Sequence, residues 1–162
     1  MRLLWDASAL VKRYAPEVGS ETVNALWAAV PEAQMATTFP IYAEAYSIML
    51  RKHNRHDISD ALFLAARSLL RAEVINSLDF VVLATDTSDV LIGIDLMERH
   101  NINSSDATFL AVCLRYAVAI SDVCVLVAAD ARLLRAAAAE GLRPLNPELV
   151  PAADVPTFLA AL

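Results

Sequence analysis

The sequence predicts an α/β fold, a three-layer α/β/α sandwich with a central, mostly parallel sheet. Short apolar segments of strand length alternate with longer segments of helical periodicity, and this alternation is typical of parallel sheets covered by helices. Residues 123–127 are apolar without interruption, as expected of a strand buried on both faces. Three copies of Asp-Ala-x-x-Leu, which start at Asp6, Asp106 and Asp130, each stand where a helical pattern begins.

Proline marks the ends of the first predicted elements. Residues 2–5 are predicted to form a strand, and the helix that follows at 7–14 ends before Pro16. Ser20 is predicted to cap the second helix, which ends at Pro31 because proline cannot continue a helix.

The next strand and two helices complete the first half of the chain. The strand covers residues 34–38, and Pro40 then stands in the first turn of a helix that runs to Lys52, a position where proline is favoured. A further helix is predicted at 57–73 from its apolar periodicity.

The second half repeats the alternation. A strand at 80–84 precedes a helix at 87–100, and a polar loop at 101–105 leads to the helix that begins at Asp106.

The last predicted strand, at 123–127, precedes a helix at 130–140. Gly141 closes this helix because glycine tolerates the left-handed backbone of a helix terminus. The tail at 148–162 contains two prolines and is predicted to pack on the surface of a single domain that spans residues 1–162.

Composition restricts the class of protein. No apolar run reaches the roughly 18 residues of a membrane span, and Asp6 comes too early for a secretory signal, so we expect a cytoplasmic protein with no membrane partner. Cys113 and Cys124 lack the spacing of a metal site and are expected to be buried free thiols.

The charge balance bears on nucleic-acid binding. The formal net charge of -6 argues against a protein that holds nucleic acid only by neutralising phosphates. The cleft is less negative than this sum if several carboxylates bind cations. The basic segment 51–56, together with Lys12 and Arg13, could line a groove for phosphates, or could interact with a helix dipole instead.

Aromatic residues and most acids are assigned structural roles. Aromatic side chains spaced with other apolar residues are predicted to lie in the core rather than to stack on bases; they are Trp5, Trp27, Phe39, Phe63 and Phe109. Asp89 is grouped with the helix caps and solvated acids.

Four carboxylates are candidates for a functional site. Asp6 and Asp130 each follow an apolar strand and open a helix, which places both at the carboxyl edge of the sheet, although each could also be an ordinary helix cap. Asp106 begins an apolar helical stripe where Ser104 and Ser105 are already available as caps.

Glu44 is the fourth candidate. It lies in mid-helix on the apolar face of Ile41 and Ala45, where capping cannot explain it. A salt bridge to Arg51 or Arg115 is the alternative explanation. Four carboxylates directed toward a core, without an evident cation for each, indicate a metal site. Oxygen-only ligands suit Mg²⁺ or Mn²⁺ and disfavour zinc, which indicates hydrolysis of a phosphate ester.

Short motifs along nearly the whole chain occur in the order typical of one family. They are Asp-Ala-Ser-Ala-Leu-Val-Lys-Arg-Tyr at 6–14 with Glu17 and Gly19-Ser20, Tyr42-Ala43-Glu44 with Leu50-Arg51, Ser-Asp-Ala-Thr-Phe-Leu-Ala at 105–111, and Asp-Ala-Arg-Leu-Leu at 130–134 leading to Gly141-Leu142 and Asn146-Pro147. In this set the chain resembles the PIN-domain ribonucleases of the VapC toxin type.

The resemblance implies a PIN fold and an endoribonuclease that depends on Mg²⁺ or Mn²⁺. It also implies a toxin that forms a homodimer and is silenced by a cognate antitoxin, with RNA as substrate. The acids carried over are Asp6, Glu44, Asp106 and Asp130. Ala128 stands where the family commonly has Ser or Thr, so one supporting hydroxyl is missing.

The roles expected from this set can be stated residue by residue. Asp6, Glu44 and Asp106 would form the principal metal cage, and Asp130 would act through water or hold a second ion. Water would attack phosphorus in line and leave a 5′-phosphate and a 3′-hydroxyl. Ser8 would hydrogen-bond a water on the metal or the scissile phosphate, or would serve as a local cap.

Two other functions remain open at this level. A PIN-like RNA-binding or scaffold protein without turnover would share the same motifs. A haloacid-dehalogenase-like phosphatase also has an Asp after its first strand, but its chemistry needs a second Asp at the position that Ser8 occupies.

Overall fold

The computed structural model describes all 162 residues and contains one five-stranded sheet. The strands are β1 (Arg2–Trp5), β2 (Met35–Thr38), β3 (Val81–Leu83), β4 (Cys124–Val127) and β5 (Arg143–Leu145). They lie in the order β3-β2-β1-β4-β5, and every neighbouring pair is parallel. The predicted α/β sandwich with a parallel sheet is therefore confirmed.

Eight α-helices connect and cover the strands. They are α1 (Ala7–Leu10), α2 (Ser20–Ala29), α3 (Phe39–Asn54), α4 (Asp60–Leu70), α5 (Thr87–His100), α6 (Ser104–Ile120), α7 (Ala131–Ala139) and α8 (Val155–Ala160). A 3₁₀ turn at Val11–Arg13 extends α1, and a π-helical turn at Arg71–Ile75 extends α4. None of the helices combines the length and the apolar character that crossing a membrane requires.

The strand order places a switch point beside β1. The chain proceeds from β1 to β2 and β3 on one side of the sheet, and then returns to β4 and β5 on the other side. Open parallel sheets bind ligands at the carboxyl ends of the strands where the order reverses. The ends of β1 and β4, which pair through Trp5 and Val127, therefore mark the expected site.

Strand β5 was not predicted from the sequence. It contains only three residues, and Pro144 in its centre lowers its strand propensity. Proline is tolerated here because β5 is an edge strand with one neighbour, β4.

The start of α2 differs from the prediction that Ser20 is its cap. Gly19 occupies the cap position with φ of 88°, and Ser20 Oγ instead donates to the carbonyl oxygen of Lys12 at 2.7 Å. A Cβ at position 19 would lie 2.9 Å from the backbone of Pro147. Both the left-handed backbone and this close approach require glycine.

The start of α6 also differs from the prediction. The helix begins at Ser104, two residues before Asp106, and Asn103 Oδ1 accepts the backbone N–H of Asp106 at 2.9 Å as the cap. Asp106 therefore lies inside the first turn, where a carboxylate is favoured by the helix dipole.

Most of the aromatic residues predicted to lie in the core are buried there. Trp5 and Phe80 both pack against Trp27, with their ring centroids 5.3 and 5.8 Å from that of Trp27. Both cysteines are buried and unpaired. Phe39 is the exception, because its side chain is 59% exposed at the first position of α3.

Asp89 is buried, which the grouping with solvated acids did not predict. It accepts two hydrogen bonds from Arg115, at 2.8 and 2.9 Å, and a third from the backbone N–H of Asp86. The same guanidinium also donates to the carbonyl oxygen of Ala84. This pair joins α5, α6 and the end of β3 and is a structural anchor.

The tail packs on α2. Thr22 Oγ1 donates to the carbonyl oxygen of Val150 at 2.6 Å, and Val155 at the start of α8 is buried. These contacts hold 148–162 against the surface of the domain.

Candidate active site

Asp6 lies at the carboxyl end of β1, at the switch point. Its backbone N–H donates to the carbonyl oxygen of Val127 in β4 at 3.0 Å, and its side chain is 5% exposed. Oδ2 accepts the backbone N–H of Ser8 at 2.9 Å and the hydroxyl of Ser8 at 2.5 Å. Oδ1 has no hydrogen-bond partner within the chain.

Ser8 joins the ends of β1 and β4. While its hydroxyl donates to Asp6, its oxygen accepts the backbone N–H of Ala129 at 2.9 Å. The hydroxyl is thus satisfied by the protein itself, and it fixes the orientation of the Asp6 carboxylate. Ser8 is not the helix cap that the sequence left as an alternative, because Asp6 caps α1 and the bond from Ala129 joins Ser8 to a segment 121 positions away.

Asp130 follows β4, whose last residue, Val127, pairs with Trp5 directly before Asp6. It caps α7 by accepting the backbone N–H groups of Arg132 at 2.7 Å and Leu133 at 3.0 Å. Both bonds are made by Oδ1, so Oδ2 is free. The carboxylate therefore caps a helix and still presents one oxygen.

Asp106 and Glu44 face the same region from two helices. Asp106 Oδ2 accepts from the side-chain amide of Asn103 at 2.9 Å. Glu44 is exposed on α3 rather than directed into the core, and its Oε2 accepts the hydroxyl of Ser105 at 3.3 Å. The remaining oxygen of each carboxylate is free.

The salt bridge considered for Glu44 does not form. Arg51 donates to the hydroxyl of Ser47, and Arg115 donates to the carboxylate of Asp89. None of the ion pairs in the structure includes any of the four candidate carboxylates. Their negative charges are therefore left without a basic partner at contact distance.

The carboxylates influence one another electrostatically. Burial raises the pKa of Asp106 to about 6, and the charges of Asp6, Asp130 and Glu44 contribute to the rise, whereas Arg132 opposes it. Burial also raises the pKa of Asp6, against the hydrogen bonds from Ser8, and Glu44 adds to that rise. Four segments distant in sequence thus form one cluster of interacting acids.

The donor set fits a hard divalent cation by its chemistry. Each carboxylate uses one oxygen for a hydrogen bond within the chain and keeps the other free. Mg²⁺ and Mn²⁺ prefer such oxygens, and a cation would relieve the mutual repulsion. No three acidic, His or Cys side chains lie close enough together to form a ready-made ligand group. The fit therefore rests on donor type and charge, and not on preformed coordination.

The basic groove, one of the two roles that the sequence left open for these residues, does not form from Lys12, Arg13 and Lys52. Lys12 is 3% exposed and pairs with Glu17 at 2.8 Å and with Glu148 at 2.7 Å. Lys52 also contacts Glu17. Arg13 pairs with Glu73 at 3.0 Å. These charges are neutralised by carboxylates of the protein.

Another cleft carries free cations that sequence reasoning missed. Arg67 and Arg71 of the α4 segment line a cleft of about 410 Å³ together with Tyr42 and Tyr46 of α3. Neither arginine forms an ion pair, and Arg67 lies over the ring of Phe63 at 6.0 Å. The sequence spacing could have indicated this cleft. Arg67 and Arg71 are four residues apart, as are Tyr42 and Tyr46, and this spacing places both members of a pair on one face of a helix.

A second cleft, of about 280 Å³, opens beside Glu44. Ser105, which contacts Glu44, forms part of its wall, and Asp106 is the next residue along α6. The cleft could not be predicted from the sequence, because its walls come from three separate segments.

Comparison with known proteins supports the same fold. The family profile described as PIN domain matches residues 3–139, which include all four acids. No curated protein matches this chain. A crystal structure of PAE2754 from Pyrobaculum aerophilum has 17% identity and a TM-score of 0.61, covering 100% of this chain and 97% of its own.

Two further solved structures show the same likeness. Mycobacterium tuberculosis VapC20, described as a Sarcin-Ricin loop cleaving toxin, has 18% identity and a TM-score of 0.63, covering 92% of this chain and 99% of its own. FitAB bound to a DNA fragment has 12% identity and a TM-score of 0.61, covering 92% and 97%. With a profile match over most of its length and acids gathered at the switch point of a parallel sheet, this chain belongs to the PIN domain family.

Proposed function

We propose that this protein is an endoribonuclease that depends on Mg²⁺ or Mn²⁺ and hydrolyses RNA phosphodiester bonds. PIN domains are generally nucleases, and the family match covers residues 3–139. The observation that carries the proposal is the cluster of four interacting carboxylates, none of which has a basic partner. Such a cluster is unfavourable unless cations bind to it.

In this proposal the free oxygens of Asp6, Glu44 and Asp106 hold the ion, and Asp130 acts through water or holds a second one. A bound Mg²⁺ or Mn²⁺ supplies Lewis-acid polarisation of phosphoryl oxygens and eases the deprotonation of water. Ser8 keeps the Asp6 carboxylate in one orientation, so that its free oxygen faces the reacting groups.

The reaction adds water to phosphorus and breaks the bond between phosphorus and the 3′ oxygen of the preceding nucleotide. The oxygen of water remains on the 5′-phosphate, and the 3′ oxygen departs with a proton as a 3′-hydroxyl. Low exposure of Asp6 restricts bulk water on one side of the cluster.

The RNA strand requires cations beyond the acid cluster. Arg67 and Arg71 are available for phosphates, and the rings of Tyr42 and Tyr46 are available for bases in the same cleft. This arrangement concentrates positive charge on α4 although the whole chain carries a net charge of -6.

The cellular role proposed here is that of a cytoplasmic toxin silenced by a cognate antitoxin. The fold similarity to VapC20, whose description names it a toxin, supports this role. The protein would also form a homodimer, with the exposed apolar side chains of α5 in the interface. These side chains are Val90, Leu91, Ile92 and Ile94.

The nuclease function is tested by comparing the rates at which the native chain and its Asp6→Asn and Glu44→Gln variants cleave RNA in the presence of Mg²⁺. Each variant keeps the shape of the side chain and removes its charge, so we expect a loss of at least about 100-fold in rate. Asp95→Asn, an exposed acid on α5, is the matched control and should retain full activity.

The same assay separates the enzyme from a binding protein. An enzyme cuts RNA only with Mg²⁺ or Mn²⁺ and is stopped by a chelator. A PIN-like scaffold, an alternative that the missing hydroxyl at Ala128 keeps open, would protect RNA at every metal concentration. Full activity of the Asp6→Asn variant would show that the proposed site is wrong.

A further inference from the structure

We propose that the cleft beside Glu44 binds one unpaired nucleobase of the RNA strand, next to the phosphodiester that the acids cleave. The inference rests on the proposed nuclease function and adds the part of the substrate that this cleft recognises.

The cleft adjoins the acid cluster. Its walls come from the start of α3, the start of α6 and the residue Thr85 after β3. Ser105 belongs both to the wall and to the acid cluster, because its hydroxyl donates to Glu44 at 3.3 Å. A group in this cleft therefore lies beside the acids and in reach of the same nucleotide.

The chemistry of the walls suits a neutral, polar group. Hydroxyl side chains dominate the lining; they belong to Thr38, Thr85, Ser104, Ser105 and Thr108. Ile41 and Phe109 add apolar surface, and no charged side chain lines the cleft. The hydroxyls of Thr85, Ser104 and Thr108 make no hydrogen bond within the chain, so they are free to donate and to accept.

A base matches this lining better than a phosphate does. A phosphate would meet the negative charges of Glu44 and Asp106 with no side-chain cation to balance it. A base presents donors and acceptors on its edge and an apolar face, which correspond to hydroxyls and to the ring of Phe109. The volume of about 280 Å³ accommodates one such group rather than a paired helix.

An exposed aromatic residue is the sequence neighbour of two residues that line the cleft. Phe39 is 59% exposed and lies between Thr38 and Pro40, both of which line the cleft. Exposed aromatic rings stack on unpaired bases regardless of their identity. Phe39 is therefore placed to support a neighbouring base, which the sequence-based assignment to the core did not predict.

Close packing of α5 against α6 holds Thr108 in the wall of the cleft. Gly93 of α5 lies so close to α6 that a Cβ there would be 3.3 Å from Thr108 Oγ1 and from the backbone nitrogen of Thr108. The buried pair of Asp89 with Arg115 fixes the same two helices to each other. Thr108 thus presents its hydroxyl from a fixed position, which favours discrimination between bases.

Binding of single-stranded RNA without cleavage tests the inference. The Asp6→Asn background with chelator removes turnover, and a series of short oligomers carries one abasic nucleotide at each position in turn. We expect one position at which the abasic change weakens binding about tenfold. In the Thr85→Val, Thr108→Val double variant, this position-dependent loss should disappear, because the intact base no longer gains from the cleft.

Two further variants make the result decisive. Ser104→Phe, at the exposed first position of α6, should fill the cleft and abolish the same positional effect, with an unchanged melting temperature showing that the fold is intact. Thr87→Val, which removes an exposed hydroxyl outside the cleft, should behave as the parent does.

The outcomes distinguish this inference from the proposed function. A flat profile in the parent, or an unchanged profile in both cleft variants, overturns the base site even if the native chain cleaves RNA. A positional effect that the cleft variants remove supports the base site, and if the native chain shows no metal-dependent cleavage, only the nuclease proposal fails.

Discussion

Ser8 donates its hydroxyl to Asp6 at 2.5 Å while the backbone N–H of Ala129 donates to the same hydroxyl oxygen at 2.9 Å. One side chain therefore links the ends of the two central strands and orients the acid that follows the first of them. Groups that orient a metal-binding carboxylate influence affinity and rate without touching the substrate.

Replacement of Ser8 by alanine should lower kcat for RNA cleavage by about 10- to 100-fold, with KM for RNA nearly unchanged. The Asp6 carboxylate would lose one of its two hydrogen bonds and would rotate more freely. Steady-state kinetics at saturating Mg²⁺ measure the two constants. Ser121→Ala, at the far end of α6, is the control, and an equal loss in kcat for both variants would refute the positioning role.

Asp106→Asn should stabilise the protein in the absence of divalent ions. Burial and three neighbouring acids raise the pKa of Asp106 to about 6, so its charge is unfavourable in the folded state at neutral pH. Because the side chain is only half-buried, we expect a gain of about 1 kcal/mol in the free energy of unfolding, measured by denaturant titration.

The gain has a defined dependence on pH. A raised folded pKa means that the penalty is present above about 6 and vanishes as the pH falls toward the usual value of 3.8. Mg²⁺ should raise the melting temperature of the native chain more than that of the variant, because the variant binds the ion more weakly. A variant that is less stable than the native chain at neutral pH would contradict the repulsion between these acids.

Neutralising Arg67 and Arg71 together, by glutamine, should weaken RNA binding and reduce its salt dependence. Each phosphate contact on a single strand contributes about 0.7 to the slope of log K against log salt, so the slope should fall by about 1.4. Fluorescence anisotropy with chelator present measures it. Lys52→Gln is the control because Glu17 already neutralises Lys52, and an identical slope in all three proteins would remove α4 from the RNA path.

Glu17→Gln should destabilise the protein by about 1–2 kcal/mol at neutral pH. Glu17 accepts hydrogen bonds from the buried Lys12 and from Lys52, and burial opposes the lowering of its pKa that these two cations cause. A lowered folded pKa means that this stabilisation is present above the usual value of 4.5 and is lost as the pH falls below it.

Thermal or denaturant unfolding across this range checks the prediction. Glu98→Gln, on the exposed face of α5, should change stability very little at any pH. A difference between the Glu17 variant and the native chain that persists in acid would show that the loss is not electrostatic.

The sequence predicted the sheet because its signals are local. The alternation of apolar strands with amphipathic helices and the prolines at their ends need no knowledge of distant contacts. Strand β5 was missed because three residues with a central proline form a strand only when β4 offers them an edge. The cap at Gly19 was missed because its close approach to Pro147 joins segments distant in sequence.

The candidate site was predictable in its residues but not in its surroundings. Asp6, Asp106 and Asp130 could be singled out because each opens a helical pattern, and Glu44 because it interrupts an apolar stripe. Burial of Asp89 could not be foreseen, since its partner Arg115 lies 26 positions away on another helix. The clefts on either side of α3 likewise depend on how helices pack.

Calorimetric titration of the purified chain with Mn²⁺ measures ion binding by the four carboxylates without RNA or turnover. We expect saturable binding in the native chain and in the Asp95→Asn control, and a loss of at least about tenfold in affinity in the Asp6→Asn, Glu44→Gln and Asp106→Asn variants. Binding of equal strength in all five proteins, or no binding in the native chain, would contradict this expectation.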